Sequence, residues 1–217
     1  MMTNLFSVFD PSTGNFSLNW MSTLIFLMIM PLNFWLFPNK INFMFIKIMN
    51  TLMKEMNMLM PYKGTSLIMI SLFMFILINN VMGLLPYLFT SSSHLVYSLS
   101  MSLPLWISLM MYGWINKYNS MFSHTLPTGT PPVLMPFMVM IETISNLIRP
   151  GSLSVRLTAN MIAGHLLMSL LGNNSSGMIL IISLMLIYLV LMMFELAVAI
   201  IQSYVFLTLS TLYSSEI

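Results

Sequence analysis

The chain has 217 residues, of which 58% are hydrophobic and 6% charged, with a formal net charge of +2 and a mean hydropathy of +0.91. So few charges cannot clothe a soluble domain, and so small a net charge excludes the basic surface that a nucleic-acid partner needs. Cysteine is absent, which removes disulfides, thiolate catalysis and Cys-ligated metals and leaves a polytopic, all-α membrane protein as the expected class.

The N-terminus, MMTNLFSVFDPSTGNF, has neither a basic n-region nor an Arg-rich amphipathic pattern, so no secretory signal or transit peptide is expected. Residues 18–37 are apolar for about the length that crosses a bilayer, with Trp20 and Trp35 near the ends and Pro31 marking a kink. After Pro38 the pattern changes. Lys40, Lys47 and Lys54 recur every seven residues, while Ile41, Phe45, Ile48, Met49, Leu52 and Met56 fall on the other side. Residues 40–58 are therefore expected as an amphipathic helix on the membrane surface. Residues 66–89 form a second span containing Asn79 and Asn80, whose amides suit hydrogen bonds to neighbouring helices. The polar turn TSSSH, with His94 expected to be solvated, leads into a third span at 95–115, and a polar link runs from Lys117 to Pro132.

Two apolar stretches follow, 133–171 and 178–213. As helices they would be roughly 58 Å and 54 Å long against a hydrocarbon core of about 30 Å, so each must tilt strongly or bend, with Pro136 and Pro150 as candidate bends. The short uncharged turn GNNSSG at 172–177 makes them an antiparallel hairpin. The fold class is thus about five membrane-crossing helices in a single domain, 1–217, plus one surface helix. Lys40, Lys47, Lys54, Lys63 and Lys117 all fall in loops on one side of such a topology, which places the N-terminus outside and the C-terminus inside.

The chemistry is concentrated at 142–165. Glu142, Arg149 and Arg156 recur every seven residues, almost two helical turns, and so share one face. Glu and His exchange protons, whereas a guanidinium does not. The order Glu142, Arg156, His165 therefore reads as two titratable groups separated by a fixed positive charge. Intramembrane charges cost several kcal/mol and mark transport paths, although Glu142 with Arg149 also suits a structural ion pair. In the last helix Tyr188, Glu195 and Gln202 repeat the same spacing. A side-by-side hairpin would bring Glu195 to the first long helix around residue 154, between His165 and Arg156 or close to both, where it could relay protons with His165 or form a static bond to it. Gly151, Ser152, Ser154, Ala159, Ala163 and Gly164 keep one side of the first long helix small enough for another helix to approach.

These motifs point beyond a generic membrane bundle. SVRLTANMIAGHLL, preceded by MVMIETISNLIRP and followed by FELAVAIIQSYVF, resembles subunit a of the rotary ATP synthases in its mitochondrial form. LPTGTPP and INNVMGLLPY extend the resemblance over most of the chain, and 27 methionines match the usage of proteins encoded in animal mitochondrial genomes. The resemblance implies a proton-conducting stator subunit in the mitochondrial inner membrane, non-catalytic by itself and without cofactor or metal. It implies as partners a ring of c subunits, other stator subunits and membrane lipid. Arg156 matches the arginine facing the ring, Glu142 the acidic group of the matrix half-channel, and His165 with Glu195 the pair of the outer half-channel. Asn160 and Gln202 match supporting polar residues. Arg149 departs from the family pattern, and Tyr188 is a further channel or structural candidate.

Rival classes fit less well. A cytochrome b needs two pairs of haem-ligating histidines, and His94, His124 and His165 are too scattered. A proton-pumping subunit of the NADH dehydrogenase would carry lysines within its spans. An autonomous secondary transporter would show an internal duplication, and none is evident.

Overall fold

The computed structural model describes residues 5–14, 16–30, 37–60, 64–126, 129, 131–173 and 178–216. Among these residues the chain forms seven α-helices and three short 3₁₀ turns, with no strand.

Leu5–Phe9 is a 3₁₀ turn, and Leu18–Leu24 is a second that runs into α1 (Ile25–Ile29). Helix α1 ends at Met30, whose ψ of 120° is the extended conformation favoured before a proline. Residues 31–36 of the expected first span, including Pro31 and Trp35, lie outside the described residues. Helix α2 (Lys40–Leu59) buries Leu52 and Met56 and exposes Lys40, Lys47 and Lys54. Its apolar face meets protein rather than lipid alone. Leu52, Met56 and Met60 pack with Met69, Ile70, Phe73 and Met74 of α3 (Thr65–Gly83) and with Leu207.

Helix α4 (Leu95–Asn116) lies along α6 (Met135–Asn173), and α3 lies along α7 (Met178–Glu216). Helix α5 (Tyr118–His124) was not anticipated, because the 117–132 link read only as polar. Helices α3, α4, α6 and the 182–215 part of α7 are long and apolar enough to cross a membrane. They meet at Ile76, Leu153, Leu157 and Phe206, with Met101 packed against the cluster. The stabilising contacts come from the 3.6-residue period of α6, whose buried face carries Pro150, Leu153, Ser154, Leu157, Thr158 and Met161. The opposite face, with Val155, Arg156, Ala159, Asn160 and Ala163, is exposed.

Neither proline interrupts α6. Pro136 sits in its first turn, where its missing N–H has no intrahelical partner to lose, and the helix continues through the buried Pro150. Pro150 nevertheless withdraws the hydrogen bond that the Asn146 carbonyl would receive. The polar turn after α3 is also tighter than expected. Ser91, Ser92 and Ser93 are buried, the Thr90 and Ser93 hydroxyls lie 3.0 Å apart, and Tyr87 takes a left-handed φ of 68°.

Candidate functional site

The site is built on α6 and faces α7. At its N-terminal end, the seven-residue spacing brings Arg149 to Glu142 at 3.5 Å. The Arg149 guanidinium also lies 4.9 Å from the centroid of the Tyr213 ring on α7, a cation–π geometry. Arg149 thus ties two long helices together as well as pairing within its own. A small cavity beside it is lined by Trp106, Met121, His124, Asn146, Arg149 and Tyr213. Asn146 was legible in retrospect, since it stands four residues after Glu142 and three before Arg149 and so shares their face. Tyr213 was not, because its place depends on how the two helices cross.

Two turns further along α6, Arg156 is exposed on the outward face, and no carboxylate of the described residues lies within ion-pair distance of it. One turn on, Asn160 Nδ2 donates to Gln202 Oε1 at 3.0 Å, joining α6 to α7. Next along α6 comes the contact that sets the register. A Cβ built on Gly164 would stand 2.7 Å from the Glu195 carboxyl carbon, so glycine is what admits Glu195 against the α6 backbone. Glu195 therefore meets α6 within the expected stretch between Arg156 and His165, but roughly 15 Å nearer the connecting turn than residue 154. The same shifted register runs along the pair, since Asn160 meets Gln202 and Arg149 meets Tyr213.

His165 follows Gly164 directly but points elsewhere. Glu195 lines a cleft of about 500 Å³ with Asn160, Ala163, Gly164 and Phe194. His165 lines a separate cavity of about 190 Å³ with Val8, Tyr87, Thr90, Ser169 and Tyr188. No hydrogen bond joins the two side chains. His165 Nε2 and both Glu195 carboxyl oxygens are buried without a hydrogen-bond partner among the described residues. Buried polar atoms left so are costly unless water reaches them, and both groups border cavities large enough to admit it. The expected Tyr188 stripe contributes to the His165 cavity, while Gln202 serves the Arg156 end.

Two other polar groups take definite places. Asn79 Nδ2 donates to the Tyr97 hydroxyl at 3.1 Å, linking α3 to α4. His94, expected in solvent, is instead half-buried: its Nε2 lies 2.9 Å from the Phe9 carbonyl oxygen, and the Trp20 and Phe89 rings pack on it, each with its centroid 5.2 Å away. The sequence TSSSH reads as a solvated turn only because the aromatic groups that cover it are remote in the chain.

An all-α membrane bundle with an arginine on an open helix face that has no ion-pair partner among the described residues, and protonatable groups in cavities beside the same helix, fits the ion-translocating class of membrane proteins. Comparison with known proteins narrows that class. The family model of the ATP synthase A chain matches residues 16–215, and the chain belongs to that family. Across all of both chains it is 58% identical to ATP synthase subunit a of Drosophila melanogaster, and it is likewise 58% identical to the subunits so named in Anopheles gambiae and Aedes aegypti.

Proposed function

We propose that this chain is the proton-conducting stator subunit of a mitochondrial ATP synthase, forming two offset half-channels against a ring of c subunits. Family membership and full-length similarity to insect subunits named as part of ATP synthase support the membrane-sector role. The insect relatives and the methionine excess support a mitochondrial inner-membrane location. The observation that carries the half-channel reading is the position of Arg156. It is exposed beside small residues, has no internal counter-ion among the described residues, and lies between the Glu195 cleft and the Glu142 end. A cation so placed suits a carboxylate presented by another chain.

In this reading a proton enters from the intermembrane space through the His165 cavity and the Glu195 cleft, and neutralises a ring carboxylate. The neutral carboxyl crosses lipid at low cost, whereas the charged form would not. After nearly a full revolution it ionises at the matrix half-channel beside Glu142. Arg156 attracts the ionised carboxylate, and as a group that never releases its proton it blocks a direct leak between the half-channels. Asn160 and Gln202, bonded to each other, hold α6 and α7 together next to it. At a potential of about 150 mV the electrical term is roughly 3.5 kcal/mol per proton, enough to bias rotation. The chain itself makes and breaks no covalent bond other than those to protons, so catalysis of ATP formation belongs to the other subunits.

Orientation follows the same logic. Met60, at the end of the lysine-bearing α2, lies 2.7 Å from the Ser214 hydroxyl near the C-terminus of α7, the end where Tyr213 meets Arg149. The lysine face and the Glu142 end thus share one side, which supports the matrix for both, with the C-terminus there and the N-terminus on the intermembrane-space side. Replacing Arg156 with Ala in the assembled complex tests the reading. ATP-driven proton pumping should vanish with assembly retained, and normal pumping would refute the mechanism.

A further inference from the structure

We infer that the N-terminal turn Leu5–Phe9 is a wall of the His165 cavity, and that His94 is the positioning residue that holds it there. Val8 lines the cavity together with His165, and the Phe9 ring stands edge-on to the His165 ring at 6.2 Å with an interplanar angle of 88°. The segment that supplies these two residues is short and has no buried residue of its own. Its place is therefore set by what it touches rather than by internal packing.

The tether is specific. The Phe9 carbonyl oxygen can only accept, so the nitrogen 2.9 Å from it, His94 Nε2, is the protonated ring nitrogen. The imidazole is itself fixed by Trp20 and Phe89, whose own centroids are 5.6 Å apart, so three rings enclose one another around the donor. Its backbone N–H donates to the Ser91 carbonyl within the buried serine turn. A second, longer bond from Asn19 Nδ2 to the Asp10 carbonyl, 3.4 Å, ties down the residue after Phe9. The lining also takes in Leu84 to Leu88 and Thr90, where Tyr87 is exposed at its left-handed φ of 68°, a strained conformation for a non-glycine residue. The cavity is thus lined by one strained loop and one tethered turn, and His94, which follows that loop in the chain, holds the turn.

The wall is a statement about geometry; that it shapes proton entry rests on the functional reading above. The chain has no cysteine, so a single one reports cleanly. Ser169→Cys places a thiol in the lining of the same cavity, and its labelling rate by a membrane-impermeant methanethiosulfonate can be followed in the assembled complex in lipid vesicles. Adding His94→Ala should raise that rate at least threefold, whereas His94→Gln, which keeps a donor, should raise it less. Phe9→Ala, which removes the ring but not the carbonyl, should also raise it and serves if His94→Ala does not assemble. An unchanged rate in both alanine variants would overturn the inference. Proton flux separates the two levels. Faster labelling with altered flux supports wall and entry together, and faster labelling with unchanged flux at every external pH supports the wall while removing the cavity from the proton path.

Discussion

The Glu195 carboxyl lies in the space that a side chain on Gly164 would occupy, with its carboxyl carbon 2.7 Å from that Cβ position. This contact makes a glycine on one helix the condition for an acid on the other, and it fixes where along α6 the acid acts. Replacing Gly164 by Ala should push the carboxyl out of its present place, at little cost in stability because only the end of a flexible side chain has to move. Proton flux should fall several-fold with the complex still assembled. Ala163→Gly on the same cleft should be nearly silent. Flux through both variants, measured by acid–base-driven ATP synthesis, checks this.

Glu195 itself has neither a cation nor a donor bonded to its buried oxygens among the described residues. If it gathers protons for the ring, Glu195→Gln should slow flux most when protons are scarce on the outer side. The rate deficit should widen as outer pH rises and narrow as it falls. Parallel pH profiles for the two proteins would remove Glu195 from the entry path.

Arg149 bridges Glu142 on its own helix and Tyr213 on α7. Were it only an intrahelical ion pair, Tyr213→Leu would leave its contribution unchanged. The geometry predicts instead a coupling of about 0.5–1 kcal/mol between Arg149→Gln and Tyr213→Leu in a double-mutant cycle of complex stability. Additive effects would confine Arg149 to the pair with Glu142.

The sequence carried the helices and the polar stripes because both are matters of period. Charges seven residues apart must share a helix face wherever the helix lies, so Glu142, Arg149 and Arg156 were legible without coordinates. What was hidden depends on how helices cross and on contacts between distant segments. That Glu195 sits against Gly164 rather than residue 154 is a matter of register between two helices, which the period within either helix does not report. His94 read as a solvated loop residue because Trp20 and Phe9, which cover and bind it, come from the far N-terminus. The role of Gly164 was half visible. Its small size was apparent, but that the Glu195 carboxyl packs directly on it was not.

Orientation has its own test. Gly172 ends the long reach of α6 beyond His165, on the side away from the lysine-bearing α2. A Gly172→Cys variant in sealed mitoplasts should react with an impermeant thiol reagent added outside. Reaction only after the membrane is opened would invert the topology.

The central claim is that Arg156 faces a ring of carboxylates supplied by other chains. Ala159 is exposed one turn from Arg156 on the same open face of α6. A complex carrying Ala159→Cys, with a single cysteine placed one turn from the c-subunit carboxylate, should form an oxidative a–c cross-link in high yield, and that bond should stop rotation until it is reduced. No cross-link at Ala159→Cys, with efficient cross-linking instead from the buried side of α6 at Thr158→Cys, would contradict the account.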